Sequence, residues 1–168
     1  MSRRARLLAA AVVGCVLTIA PAVMPVTRRL IFNTTASVPV GLYWLEERWP
    51  GAGGLALVRP PPRLGRWMAE RHYLPLNVPL IKRIAATEGQ VVCVQHDLVR
   101  IDGAVVAQVL NHDRLGRRLV PAPLCRRLAA DEVFLLNPER RSLDGRYFGT
   151  LSRRCVVGRL TPLWTWAR

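Results

Sequence analysis

Residues 7–26 carry no charge at all and lie between Arg6 and Arg28, and this stretch limits what the chain can become. About 20 apolar residues in helix cross the hydrocarbon core of a bilayer. Arg3, Arg4 and Arg6 precede the stretch, and Arg28 and Arg29 follow it. With the amino terminus counted, the basic bias places the N-terminus in the cytoplasm and the remainder outside, in the periplasm of a Gram-negative cell. The expected organisation is a cytoplasmic N-terminus over 1–6, a transmembrane anchor over 7–26 and an exported domain over 27–168. Pro21 and Pro25 favour a kink that a membrane helix tolerates. Ala20-Pro21-Ala22 keeps a cleaved secretory signal open as the alternative. Either way the domain is exported.

Past the span the chain is cut into short pieces. Residues 27–36 read as a polar linker; ten residues reach at most about 33 Å, which keeps residue 37 close to the membrane surface. Strands are expected over 41–45, 55–58, 80–85, 90–94, 98–101, 104–109, 133–137, 148–151 and 155–164, with proline and glycine turns between them. Asp102-Gly103 between alternating apolar runs is a strong hairpin signal. One short amphipathic helix is expected over 63–72, where Leu64, Trp67 and Met68 share a face. Residues 111–130 read as a long loop broken by proline. The expected fold is mainly β, a partly open barrel of coiled antiparallel strands behind one N-terminal transmembrane helix.

The net charge of +14 is spread along the chain as single arginines and pairs. With no block of five like charges, no zinc-ligand pattern and no nucleic-acid motif, it points to no nucleic-acid partner. No metal or other cofactor is expected. Outside the span lie Cys93, Cys125 and Cys155, and an oxidising compartment favours one disulfide among them. Cys93 with Cys125 is the preferred pair, since it would tether the long loop; the alternative is three small buried hydrophobes.

Two residues stand out chemically. Ser37, one of four serines, sits in a small-residue run that breaks at Pro39 and Gly41. Lys82 is the one lysine, beside 24 arginines. Arginine stays charged at any ordinary pH, whereas a buried lysine can lose its proton and act as a base. Alternation along 80–85 sends Leu80, Lys82 and Ile84 one way and Arg83 the other. If that face is buried, Lys82 goes in and its pKa falls; otherwise it is an edge lysine that reaches solvent. His72, His96 and His112 all sit in polar turns and read as surface residues. Ser142, Asp144 and Arg146 fall at i, i+2 and i+4, on one side if the segment is extended. The alternative, which Asp144-Gly145 favours when the segment is taken alone, is a plain turn.

Three stretches together, Ala36-Ser-Val-Pro-Val-Gly-Leu-Tyr-Trp44, Leu80-Ile-Lys-Arg-Ile-Ala-Ala86 and Phe134-Leu-Leu-Asn-Pro138 with Ser142-Leu-Asp-Gly-Arg-Tyr-Phe-Gly149, resemble the successive boxes of the type I signal peptidase family of serine–lysine proteases. The likeness is stronger to its conjugative-transfer branch, the TraF-type maturation peptidases. Pro39 stands two residues after the serine instead of three, and Asn137-Pro138 replaces the usual Gly-Asp-Asn, which turns the resemblance toward that branch. The resemblance implies Ser37 as nucleophile, Lys82 as general base and Asp144 as the acidic residue of the last box. It gives Ser142 and Arg146 supporting roles, orienting the lysine and pairing the aspartate, and puts Thr35 where a side-chain oxyanion donor can stand beside the Ser37 N–H. It further implies an exported, pilin-like precursor as substrate, other conjugation or secretion components as neighbours, and a site at the outer face of the bacterial inner membrane. Product release by hydrolysis and closure into a ring both stay open. The rival class is a non-catalytic assembly protein that uses the same β domain for docking.

Overall fold

The computed structural model describes residues 3–23 and 29–166. Helix α1 covers Arg3–Val23 and starts within the expected cytoplasmic segment. The last three residues of the expected span lie outside the described residues. Among the described residues no helix is long and apolar enough to cross a membrane.

Strands β1 (Leu30–Asn33), β2 (Val40–Glu46) and β3 (Leu55–Val58) precede helix α2 (Pro62–Glu70). Then come β4 (Leu80–Ala86), β5 (Val91–Gln95), β6 (Leu98–Ile101), β7 (Ala104–Gln108), β8 (Leu124–Arg127) and β9 (Glu132–Leu135). A short helix α3 (Gly145–Phe148), β10 (Thr150–Ser152) and the long β11 (Val156–Trp166) complete the order. The strands form an antiparallel seven-stranded sheet, β1-β2-β11-β3-β4-β9-β10, and a four-stranded one, β7-β6-β5-β8. Both are open, with no closed barrel.

Most short apolar runs become strands because each fills one side of a layer. Ala56, Val58, Ile84, Val133 and Leu135 bury together under Met68 of α2, while Val92, Val94, Val99 and Phe134 form the core between the two sheets. Pro62 starts α2 at a position where a missing N–H costs nothing. Asp102 and Gly103 both take positive φ, 49° and 85°, as the two-residue turn between β6 and β7 requires.

Three expectations are corrected. The linker over 27–36 holds β1, which pairs with β2 in the register Asn33↔Gly41, so Ser37 stands on a strand connection and not on a tether. The long loop contains β8, whose Cys125 lies directly opposite Cys93 of β5; the two form the preferred disulfide. The segment around Asp144 follows the turn alternative and not the extended one, and goes further than either: Asp144 is the N-cap of α3 and accepts from the Arg146 N–H. Gly145 belongs there for space, since a Cβ would meet the Leu135 carbonyl oxygen at 2.7 Å.

Candidate active site

Lys82 is buried to 3% exposure, as the alternation of β4 allows: Leu80, Lys82, Ile84 and Ala86 face in and Arg83 faces water. Burial disfavours its ammonium and, with the Arg146 charge, outweighs Asp144, which acts to retain the proton; the Lys82 pKa falls to about 8. Its Nζ donates to Ser142 Oγ over 2.7 Å.

Ser37, Thr35, Lys82 and Ser142 line one cleft of about 610 Å³, with β1 on one wall and residues 78–81 on the other. In sheet order β2 and β4 are separated by β11 and β3. At about 4.8 Å per strand step a flat sheet would hold β2 roughly 14 Å from β4. The β1–β2 connection carries Ser37, and β4 carries Lys82, to the cleft across that distance. Ser37 and Lys82 are not hydrogen-bonded to each other; the neighbour of Ser37 Oγ is Thr35 Oγ1 at 3.4 Å. Thr35 Oγ1 itself donates to Asn33 Oδ1 over 2.9 Å, which commits the proton an oxyanion donor would need.

Asp144 and Arg146 stand behind the cleft wall, at 0% and 1% exposure. Arg146 Nε and Nη2 each reach one Asp144 carboxylate oxygen at 2.9 Å. The other guanidinium N–H groups donate to the carbonyls of Gln108, Asn137, Glu139 and Arg140. The pair thereby ties residues 137–140, ahead of Ser142, to α3. His72, His96 and His112 are exposed, as read from the sequence.

Two buried asparagines were missed. Asn33 lies just ahead of the serine stretch; an Asn two residues before a Thr, followed by Pro39 and Gly41, signals an Asx turn. Asn137 was noted for its unusual place in the last box. Its side chain accepts from Arg83 N (3.0 Å) and donates to Ile81 O (3.2 Å), the backbone groups on either side of Lys82. It carries the β4–β9 pairing one step past the end of β9. Asn137→Ala is expected to cost about 2 kcal/mol through the unpaired buried groups and to slow any chemistry at Lys82; chemical denaturation and turnover measured on the same protein check this.

The family described as signal peptidase, peptidase S26, matches residues 3–165. The chain belongs to that family. A plasmid transfer protein TraF of Escherichia coli is 32% identical over 149 residues, covering 80% of this chain and 82% of its own. A conjugal transfer protein TraF of Agrobacterium fabrum is 32% identical over 98% of both chains. A signal peptidase I structure from Enterococcus faecalis aligns with 69% of this chain and all of its own, at TM-score 0.44 and 21% identity. Membership in peptidase S26 supports serine peptidase chemistry, and the match spans β1, β4 and α3, which carry or flank the residues described above.

Proposed function

We propose that this chain is a membrane-anchored serine endopeptidase that cleaves exported precursors, with Ser37 as nucleophile and Lys82 as general base. The observation that carries this reading is a buried lysine, its pKa lowered to about 8, in one cleft with a half-buried serine. Ser142 holds the amine, which leaves the lone pair of neutral Lys82 for the Ser37 proton. The Ser37 hydroxyl turns from Thr35 toward Lys82, its oxygen adds to the scissile carbonyl, and the proton passes through Lys82 to the leaving amine. Water or an incoming amine then releases the acyl group from Ser37, giving a linear or a joined product. The Ser37 N–H is free to face the developing oxyanion. Strand β1 is a sheet edge along the cleft and offers unpaired backbone groups to an extended precursor.

The TraF names of the relatives direct the substrate reading toward a pilin-like precursor of a transfer apparatus. The anchor reading rests on the uncharged stretch 7–26, and a surface beyond it agrees. Leu30, Phe32, Trp164 and Trp166 on β1 and β11 are exposed, with Phe32 and Trp166 rings 6.2 Å apart and Trp164 and Trp166 rings 5.9 Å apart. Aromatic side chains favour the membrane–water interface, so this edge suits the outer face of the inner membrane. The Cys93–Cys125 disulfide suits an exported domain. Against these stands one observation that favours the docking reading, the missing hydrogen bond between Ser37 and Lys82.

The test is the pH–rate profile of precursor cleavage by the purified full chain in detergent. Lys82 works as the free amine, so activity falls as pH drops through about 8, tenfold per unit below it, with about one molecule in ten competent at pH 7. A precursor left intact at every pH would leave docking as the function, whereas cleavage with a flat profile between pH 6 and 9 would overturn Lys82 as the base.

A further inference from the structure

Between β1 and β2 the chain makes a six-residue connection, residues 34–39, with Ser37 inside it. No core side chain other than Val38 anchors this connection, and Thr34, Thr35 and Ala36 are exposed. One amide holds it. Asn33, the last residue of β1 and 5% exposed, donates from Nδ2 to the carbonyls of Thr35 (2.8 Å), Val38 (3.1 Å) and Pro39 (3.0 Å). Its Oδ1 accepts from Thr35 N (3.0 Å) and Thr35 Oγ1 (2.9 Å). Three carbonyls on one side and two donors on the other leave the amide a single orientation. The connection is thus wrapped round one side chain, tied on both sides of the nucleophile.

We infer that Asn33, through its link to Thr35, is the positioning residue for the Ser37 hydroxyl. Thr35 Oγ1 has spent its proton on Asn33, so toward Ser37 Oγ, 3.4 Å away, it can only accept. Asn33 therefore sets both the place of Ser37 and the direction in which its resting hydroxyl points. No hydrogen bond joins Asn33 to Lys82, so it acts on the nucleophile alone. The inference rests on the reading of Ser37 as nucleophile.

Its test is steady-state cleavage, by the full chain in detergent, of an internally quenched peptide with alanines before the scissile bond. Asn33→Asp keeps the acceptor and turns a second oxygen on three carbonyls, and is expected to lower kcat about 100-fold, the cost of misplacing a reacting atom by roughly an ångström. KM stays within about threefold, because Lys82 and the lining outside the β1–β2 connection are untouched. The new carboxylate acts to raise the pH midpoint, so the midpoint is read in the uncharged Thr35→Val, where it stays near pH 8. Thr35→Val, at an exposed position, removes the hydroxyl's two hydrogen bonds, to Asn33 and from Ser37, and lowers kcat about tenfold, while Thr35→Ser restores it. Wild-type kcat in folded Asn33→Asp, a loss that lies in KM, or a pH midpoint moved in Thr35→Val would each overturn the inference. Should Asn33→Asp not fold, Thr35→Val decides, and wild-type kcat there overturns it as well. Failure of the underlying reading looks different: Ser37→Ala would then cleave like wild type, or wild type would not cleave.

Discussion

Ser37→Ala and Lys82→Arg are each expected to leave an exported precursor uncut, with activity down at least about 1,000-fold, while both variants still accumulate in the membrane. The two losses have different causes. Alanine removes the oxygen that bonds the acyl group. Arginine keeps the positive charge but cannot release its proton at working pH, so it tests basicity where alanine tests nucleophilicity. Lys82→Met supplies a control for burial of a permanent charge, since it keeps the stem and drops the amine. It should fold at least as well as wild type and be equally inactive, because the buried ammonium costs desolvation that Met avoids. The measurement is the intact mass of the co-expressed precursor. A wild-type product one water lighter than the linear cleaved peptide identifies ring closure. Precursor processed equally by all four chains would sink the dyad and leave the docking function.

The second large effect is structural. Asp144→Ala leaves the Arg146 guanidinium buried at 1% exposure without its carboxylate, a change that costs about 3–5 kcal/mol. For a domain of this size the melting temperature should fall by roughly 10 °C. A chemical signature accompanies it. Asp144 acts to raise the Lys82 pKa and Arg146 to lower it, so removing the aspartate lets the pH midpoint fall below about 8. Arg146→Ala should move the midpoint up, while also destabilising the chain through an orphaned carboxylate. Thermal unfolding followed by near-ultraviolet dichroism, with the pH profile at a permissive temperature, reads both quantities. A melting temperature within 2 °C of wild type for Asp144→Ala would show that the pair does not hold residues 137–140.

Much of this site is legible in the sequence because its signals are local. A lone lysine among arginines, placed on the inward phase of an alternating strand, marks Lys82, and burial of Leu80, Lys82 and Ile84 follows that phase. Asp102-Gly103 needs only its two positive φ values to turn a hairpin. The β1 strand and the β8 strand were not legible, since four-residue strands with exposed positions carry no alternation and are made by their partners. The extended reading of Ser142, Asp144 and Arg146 fails for a related reason. Spacing at i, i+2 and i+4 describes a strand only if a ladder exists, and here the aspartate caps a helix turn instead.

By itself the sequence determined the uncharged 7–26 stretch, the short-strand β domain and the chemical types at Ser37 and Lys82; it favoured Cys93 with Cys125, and the β5–β8 pairing settled it. Tertiary structure alone decided that the β1–β2 connection and β4 share a cleft, that Asp144 and Arg146 stand behind it, and that Asn33 and Asn137 hold its two halves. The reason is range. Alternation, turn chemistry and residue type act over a few positions, whereas the sharing of one cleft and the hydrogen bonds of a buried amide such as Asn137 depend on segments far apart in the chain meeting in space.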